Sequence, residues 1–109
     1  MDATKRKRLQ AAGWRVGTVR EFLGLSDAEA ELVELRVVLG AGLKQRRERA
    51  RLTQTALAKR LKSSQSRIAK MEAGDPTVSL DLLIRAHLVL GAKRADIGRS
   101  LARGIAAAV

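Results

Sequence analysis

The chain has 109 residues, 46% of them apolar, and carries 22 Lys and Arg against 11 Asp and Glu for a net charge of +11. That length suits one domain with a modest core, and the positive excess makes a polyanion the expected partner, because each phosphate neutralised releases counterions. The lack of Cys and the single His exclude Cys/His zinc sites and cysteine-based catalysis, and with no apolar run near the length of a membrane span or a signal core, the expected setting is the reducing cytoplasm, away from the membrane.

The charge is unevenly spread. Residues 1–20 carry +5, residues 21–38 carry −4, residues 39–74 carry +8 and residues 75–109 carry +2. The excess therefore peaks in the middle of the chain. A basic face kept for solubility is the plain alternative to a nucleic-acid partner.

Lys5-Arg6-Lys7-Arg8 opens a short helical pattern through Ala12, closed by Gly13. Such a run is either an arm laid along DNA or a solvated terminus. Trp14, Val16, Val19, Phe22, Leu23 and Leu25 then form an apolar patch holding both aromatics of the chain. Thr18 with Glu21 has capping-box spacing, so a helical turn or two is expected there. Trp14 and Phe22 are the partner-binding candidates: the patch docks on the core or a dimer mate, or else recognises a second protein. One Trp and one Phe are too few for a single-strand stacking platform.

Ser26 followed by Asp27, Ala28 and Glu29 is a clearer capping box. From Asp27 the pattern stays helical to about Ala50, with Leu32, Leu35, Leu39 and Leu43 on one stripe. Gly40 and Gly42 weaken it by about 1 kcal/mol each relative to Ala, so the run is either two helices or one kinked helix. Gly40-Ala41-Gly42 follows no strand and lacks the other positions of a phosphate loop. Glu29, Glu31 and Glu34 have no nearby polar partner or metal ligand and are read as a solvated face. Among Lys44, Arg46, Arg47, Arg49 and Arg51, some are placed to reach phosphate and the rest face water.

Leu52 to Gly74 reads as two short helices joined by a turn. Thr53 caps the first, Gln54 to Leu61, whose Leu57 and Leu61 stand one turn apart beside the small Ala58. Lys62, Ser63 and Ser64 interrupt the pattern. The second helix places Ile68 and Met71 inward and Gln65, Ser66, Arg67 and Lys70 outward, and Gly74 suits its C′ position.

In type and spacing, Gln54, Leu57, Ala58, Leu61, Gln65, Ser66, Ile68 and Glu72-Ala73-Gly74 resemble the helix-turn-helix of the lambda-repressor/Cro-type (XRE) regulators. Pro76-Thr77-Val78-Ser79-Leu80 to Leu90-Gly91 is similar to that family's fourth helix, so the likeness covers roughly residues 39 to 91. Lys62 and Ser63 depart from it, standing where the family has a glycine and an apolar residue. A lysine in the left-handed conformation costs about 1 kcal/mol, so a turn of different shape is the alternative.

After Asp75-Pro76, Ser79 caps a helix of nearly all-round apolarity, Leu80 to Leu90, which predicts burial on more than one side. Its His87 is expected to be a packed or half-exposed helix residue and not a ligand. From Ala92 a fifth helix is expected, with Ile97, Leu101 and Ile105 in a stripe suited to pairing with a second copy.

Taken together, these readings give an all-α fold, a five-helix lambda-repressor-like helix-turn-helix domain with an N-terminal helical extension. Residues 1–38 form the basic arm and extension, residues 39–91 the DNA-binding domain and residues 92–109 the C-terminal helix. The resemblance implies that the second helix of the motif enters the major groove of double-stranded DNA. Gln65 and Ser66 then touch bases, with Arg67 and Lys70 taking guanine or phosphate, since a Gln amide both donates to and accepts from the adenine edge. It also implies that Gln54 clamps a phosphate, with Thr53, Ser64 and Thr77 as further phosphate candidates.

A homodimer on an inverted repeat, repressing by promoter occlusion, is the expected regulator. The small size with an N-terminal extension also resembles HigA-type antitoxins, which bind a toxin protein and repress their own operon. Competing classes are a protein-binding module gripping through Trp14 and a non-specific nucleoid or RNA-binding protein. No catalytic residue, metal site or cofactor is expected.

Overall fold

A computed structural model describes residues 26–104. The basic arm and the Trp14 and Phe22 patch lie outside the described residues, as does Ile105. Five helices follow in order: α1 Asp27–Arg49, α2 Gln54–Arg60, α3 Gln65–Glu72, α4 Leu80–Val89 and α5 Arg94–Arg103. Among the described residues there is no strand, and no helix is long and apolar enough to cross a membrane.

Helix α1 starts at the predicted capping box: Ser26 Oγ accepts from the Glu29 N–H at 3.2 Å, and the Glu29 carboxylate accepts from the Ser26 N–H in return. It then runs as a single α-helix for 23 residues through both glycines, so of the two alternatives the pair of separate helices does not occur. Tertiary packing explains why. A Cβ on Gly40 would lie 2.5 Å from the Met71 carbonyl oxygen and 2.9 Å from that of Glu72. Gly40 is thus the point where the end of α3 crosses α1 with no room for a side chain, and that packing outweighs the weak helix propensity of glycine.

Four of the five helices end in the same way. The C″ N–H of each bonds back to the C3 carbonyl: Leu52 to Arg47, Ser63 to Ala58, Asp75 to Lys70 and Ala92 to His87, at 2.8–3.1 Å. Each such motif needs a left-handed C′ residue. Gly74 and Gly91 supply it at φ 73° and 92°, whereas Arg51 and Lys62 adopt φ 57° and 53° despite carrying a Cβ. The turn of the central motif therefore has the shape a glycine would give it, formed by Lys62.

The core joins Leu39 and Leu43 of α1, Leu57 and Ala58 of α2, Ile68 and Met71 of α3, Val78 before α4, Leu83 and Ala86 of α4, and Ile97 of α5. Full burial of a side chain such as Leu57, Ile68 or Leu83 contributes about 1.5–3 kcal/mol. α1 is the hub, packing against α3, α4 and α5, while α2 packs on α3. Ile97 is buried and Leu101 packs on the same core. The α5 stripe expected to pair with a second copy is therefore used, at these two positions, within the chain.

Of the two placements left open for His87 the structure shows the packed one, and its environment fixes its tautomer. Nε2 lies 2.8 Å from the Leu39 carbonyl oxygen, so it must donate, and Nδ1 accepts from Arg46 Nε at 3.1 Å. Burial is the main cause that pushes the His87 pKa below its ordinary value.

Candidate nucleic-acid interface

The second helix of the motif begins where Ser64 turns extended and its Oγ accepts from the Arg67 N–H at 3.2 Å. That cap frees the first turn of α3 to stand outward. Ile68 and Met71 are buried under it, while Gln65, Ser66, Arg67 and Lys70 are all exposed. The two sets alternate because residues three and four apart share a helix face.

Five of the predicted site residues meet in space. Ser64, Ser66, Arg67 and Lys70, together with Thr77 from the α3–α4 connection, line one concavity of about 230 Å³. Hydroxyls and cations side by side are the donors an anionic backbone requires. Thr77, however, gives its hydroxyl proton and its backbone N–H to Asp75 Oδ1 at 2.6 and 2.7 Å. These bonds hold the Asp75 carboxyl below the usual carboxylate range, so Thr77 carries an ionised neighbour and its two donors are engaged. Thr53 caps α2 by accepting from the Ala56 N–H at 3.0 Å, which leaves its hydroxyl proton available to an incoming phosphate.

Gln54 does more than stand at a helix start. Its Oε1 accepts from Gln65 Nε2 at 2.6 Å and its Nε2 donates to Glu72 Oε1 at 3.0 Å, which fixes the amide orientation. Glu72 also accepts from Arg47, through Nε at 2.6 Å and Nη2 at 3.1 Å, and Arg47 Nη1 donates to the Leu52 carbonyl oxygen at 2.8 Å. One chain of hydrogen bonds thus ties α1, the α1–α2 turn and both ends of α3 to Gln54. The Glu72 bond raises the Arg47 pKa further above its ordinary value.

Sequence reasoning missed this latch. The sequence places Arg47 among bases that reach phosphate or face water, but its side chain is only 12% exposed and Glu72 only 5%. A signal was present: Glu72 is the only acid between Glu48 and Asp75, in a stretch otherwise rich in bases.

With Glu72 enclosed and paired, the exposed charge between residues 50 and 74 is entirely positive. It comes from Arg51, Lys59, Arg60, Lys62, Arg67 and Lys70. A polar helix start with a rigid support and a cationic surround can accept an anionic duplex and present amide and hydroxyl groups to it.

No curated protein and no solved structure matches the chain. A family model described as a helix-turn-helix domain matches residues 38–99, more than half of the chain and a span that runs from within α1 to within α5. The chain belongs to this helix-turn-helix domain family, and its fold is that of a helix-turn-helix DNA-binding regulator.

Proposed function

We propose that the protein is a sequence-specific double-stranded DNA-binding transcriptional regulator of the lambda-repressor/Cro (XRE) type, acting as a homodimer in the cytoplasm and repressing by occluding a promoter. The observation that carries this reading is the start of α3: Gln65, Ser66, Arg67 and Lys70 are exposed together, backed by the Gln54–Glu72–Arg47 latch. Gln65 and Ser66 read base edges, Arg67 and Lys70 take guanine or phosphate, and Thr53, Gln54 and Ser64 hold the backbone.

The dimer reading is supported by Leu88 and Val89 of α4, which are 50% and 41% exposed. A second copy would cover this apolar surface, and a two-fold protein calls for an inverted-repeat site. The finer assignment as a HigA-type antitoxin rests on the segment preceding residue 39. It is tested by whether the product of an adjacent reading frame forms a complex with the protein. No enzymatic role is proposed.

The deciding experiment selects binding sites from a random duplex library and measures affinity for the enriched site against scrambled DNA at several salt concentrations. The expected result is one enriched inverted repeat, bound about a thousandfold or more above scrambled DNA. Salt-dependent binding without enrichment would assign a non-specific nucleoid or RNA-binding role, and absence of DNA affinity would assign a protein-binding module.

A further inference from the structure

A second basic concavity lies on the other side of α1. Gly40 and Arg47 mark the face of α1 that meets α3. Gly42, Arg46 and Arg49 lie roughly a third to half a turn around the helix from it, at 3.6 residues per turn. Here α1 and α5 enclose a cleft of about 150 Å³, lined by Gly42, Gln45, Arg46, Arg49, Ser100 and Arg103.

Three guanidiniums border this small space, and among the described residues no carboxylate lines it. Arg49 and Arg103 are exposed, and among the described residues neither takes part in an ion pair. The nearby acid on α5, Asp96, is hydrogen-bonded to Arg99 and to the Lys93 N–H, and Arg46 adds a further attraction from the cleft side. Arg46 is held in place by His87, which accepts from its Nε. Since a guanidinium has five N–H donors, both terminal nitrogens of Arg46 keep theirs. The Ser100 hydroxyl donates to the Asp96 carbonyl oxygen, so the donors to a guest are the three arginines and the Gln45 amide.

Like charges gathered around one space repel, and planar guanidinium forks match the oxygens of a phosphoryl group two at a time. The volume is that of about five waters. It suits a phosphoryl group with its nearest waters and is too small for a nucleobase with its sugar.

We propose that the α1–α5 cleft is a phosphate-binding site separate from the α3 surface, taking a phosphoryl group from either a stretch of DNA backbone or a free phosphate-bearing ligand. This site does not rest on the DNA reading of α3 and can stand or fall without it.

The test titrates inorganic pyrophosphate into isotope-labelled full-length protein at low salt, following backbone amides by NMR. Saturable shifts at Gln45, Arg49, Ser100 and Arg103 are expected. The R49A/R103A variant should weaken the binding about tenfold or more, while R67A/K70A leaves it within about twofold. Shifts confined to α2 and α3, or binding undiminished in R49A/R103A, would overturn the site. A parallel titration of R49A/R103A with duplex DNA identifies the source. DNA affinity lowered about threefold or more points to a backbone phosphate, and unchanged DNA affinity with lost pyrophosphate binding points to a free ligand.

Discussion

Arg47 and Glu72 form a two-pronged ion pair across the α1–α3 contact, with Arg47 Nε 2.6 Å from Glu72 Oε2 and Nη2 3.1 Å from Oε1. The pair is nearly enclosed and every polar end of it is used, including Arg47 Nη1 on the Leu52 carbonyl oxygen. Removing one partner would strand a charge where water reaches it poorly. Glu72→Gln is therefore expected to lower stability by about 3 kcal/mol, read as a reduced urea midpoint at unchanged m-value. A loss below about 0.5 kcal/mol would mean that the pair behaves like an exposed surface bridge.

The contact between Gln54 and Gln65 predicts non-additive DNA binding. Gln65→Ala should cost about 1–3 kcal/mol at the preferred site and relax base choice there. Gln54→Ala should weaken preferred and scrambled DNA alike, and it also removes the acceptor that orients the Gln65 amide at 2.6 Å. In a double-mutant cycle the loss in the double variant should fall short of the sum of the two single losses by about 0.5 kcal/mol or more. Strict additivity in fluorescence-anisotropy affinities would show that the two amides act independently on DNA.

Lys62 closes the turn before α3 at φ 53°, and Arg51 closes α1 at φ 57°. Left-handed backbone costs a side-chain-bearing residue about 1–2 kcal/mol, a strain glycine avoids. Lys62→Gly should raise the unfolding free energy by about 1 kcal/mol, whereas Lys62→Ala, which keeps the strain, should not. Because Lys62 is exposed beside α3, the glycine variant is also expected to show a shallower salt dependence of DNA binding. Thermal melts and a salt series check the two effects separately.

Gly40→Ala tests the crossing of α1 and α3. The added methyl would lie 2.5 Å from a backbone carbonyl oxygen, which no rotamer change relieves. Crowding of this kind costs about 1–3 kcal/mol or more, against a gain of about 1 kcal/mol in helix propensity. A net fall in melting temperature is expected. An unchanged or higher value would show that the helices separate at little cost.

That glycine also marks where sequence reading stops. The caps at Ser26, Thr53 and Ser79 and the C′ role of Gly74 were legible, because each is decided by residues a few positions apart. The outward set Gln65, Ser66, Arg67 and Lys70 was legible from helical period alone. Gly40 was visible only as a weakness in a helix, since its reason is a carbonyl 31 residues further along the chain. Arg47–Glu72 and His87–Leu39 span separations of 25 and 48 residues, and no local pattern signals which base or ring nitrogen will be enclosed. The α5 stripe had the right period for a dimer seam and for a core face, and only the position of α1 decides between them.

His87 gives the protein a pH response whose sign follows from its burial. Its Nε2–H donates to Leu39 and its Nδ1 accepts from Arg46, so a second proton would meet an N–H already aimed at it. Burial lowers the folded-state pKa, while the unfolded chain titrates at about 6.5. Above that pH neither state holds the proton and His87 adds no pH dependence. As pH falls below it, the unfolded state takes up a proton that the folded state refuses, so stability declines until the folded pKa is reached. The slope is at most about 1.4 kcal/mol per pH unit. Urea denaturation between pH 7.5 and 5.5 should show this decline in the wild type and its absence in His87→Gln, whose amide can donate to Leu39 and accept from Arg46 without titrating. An equal decline in both proteins would assign the acid sensitivity to other groups.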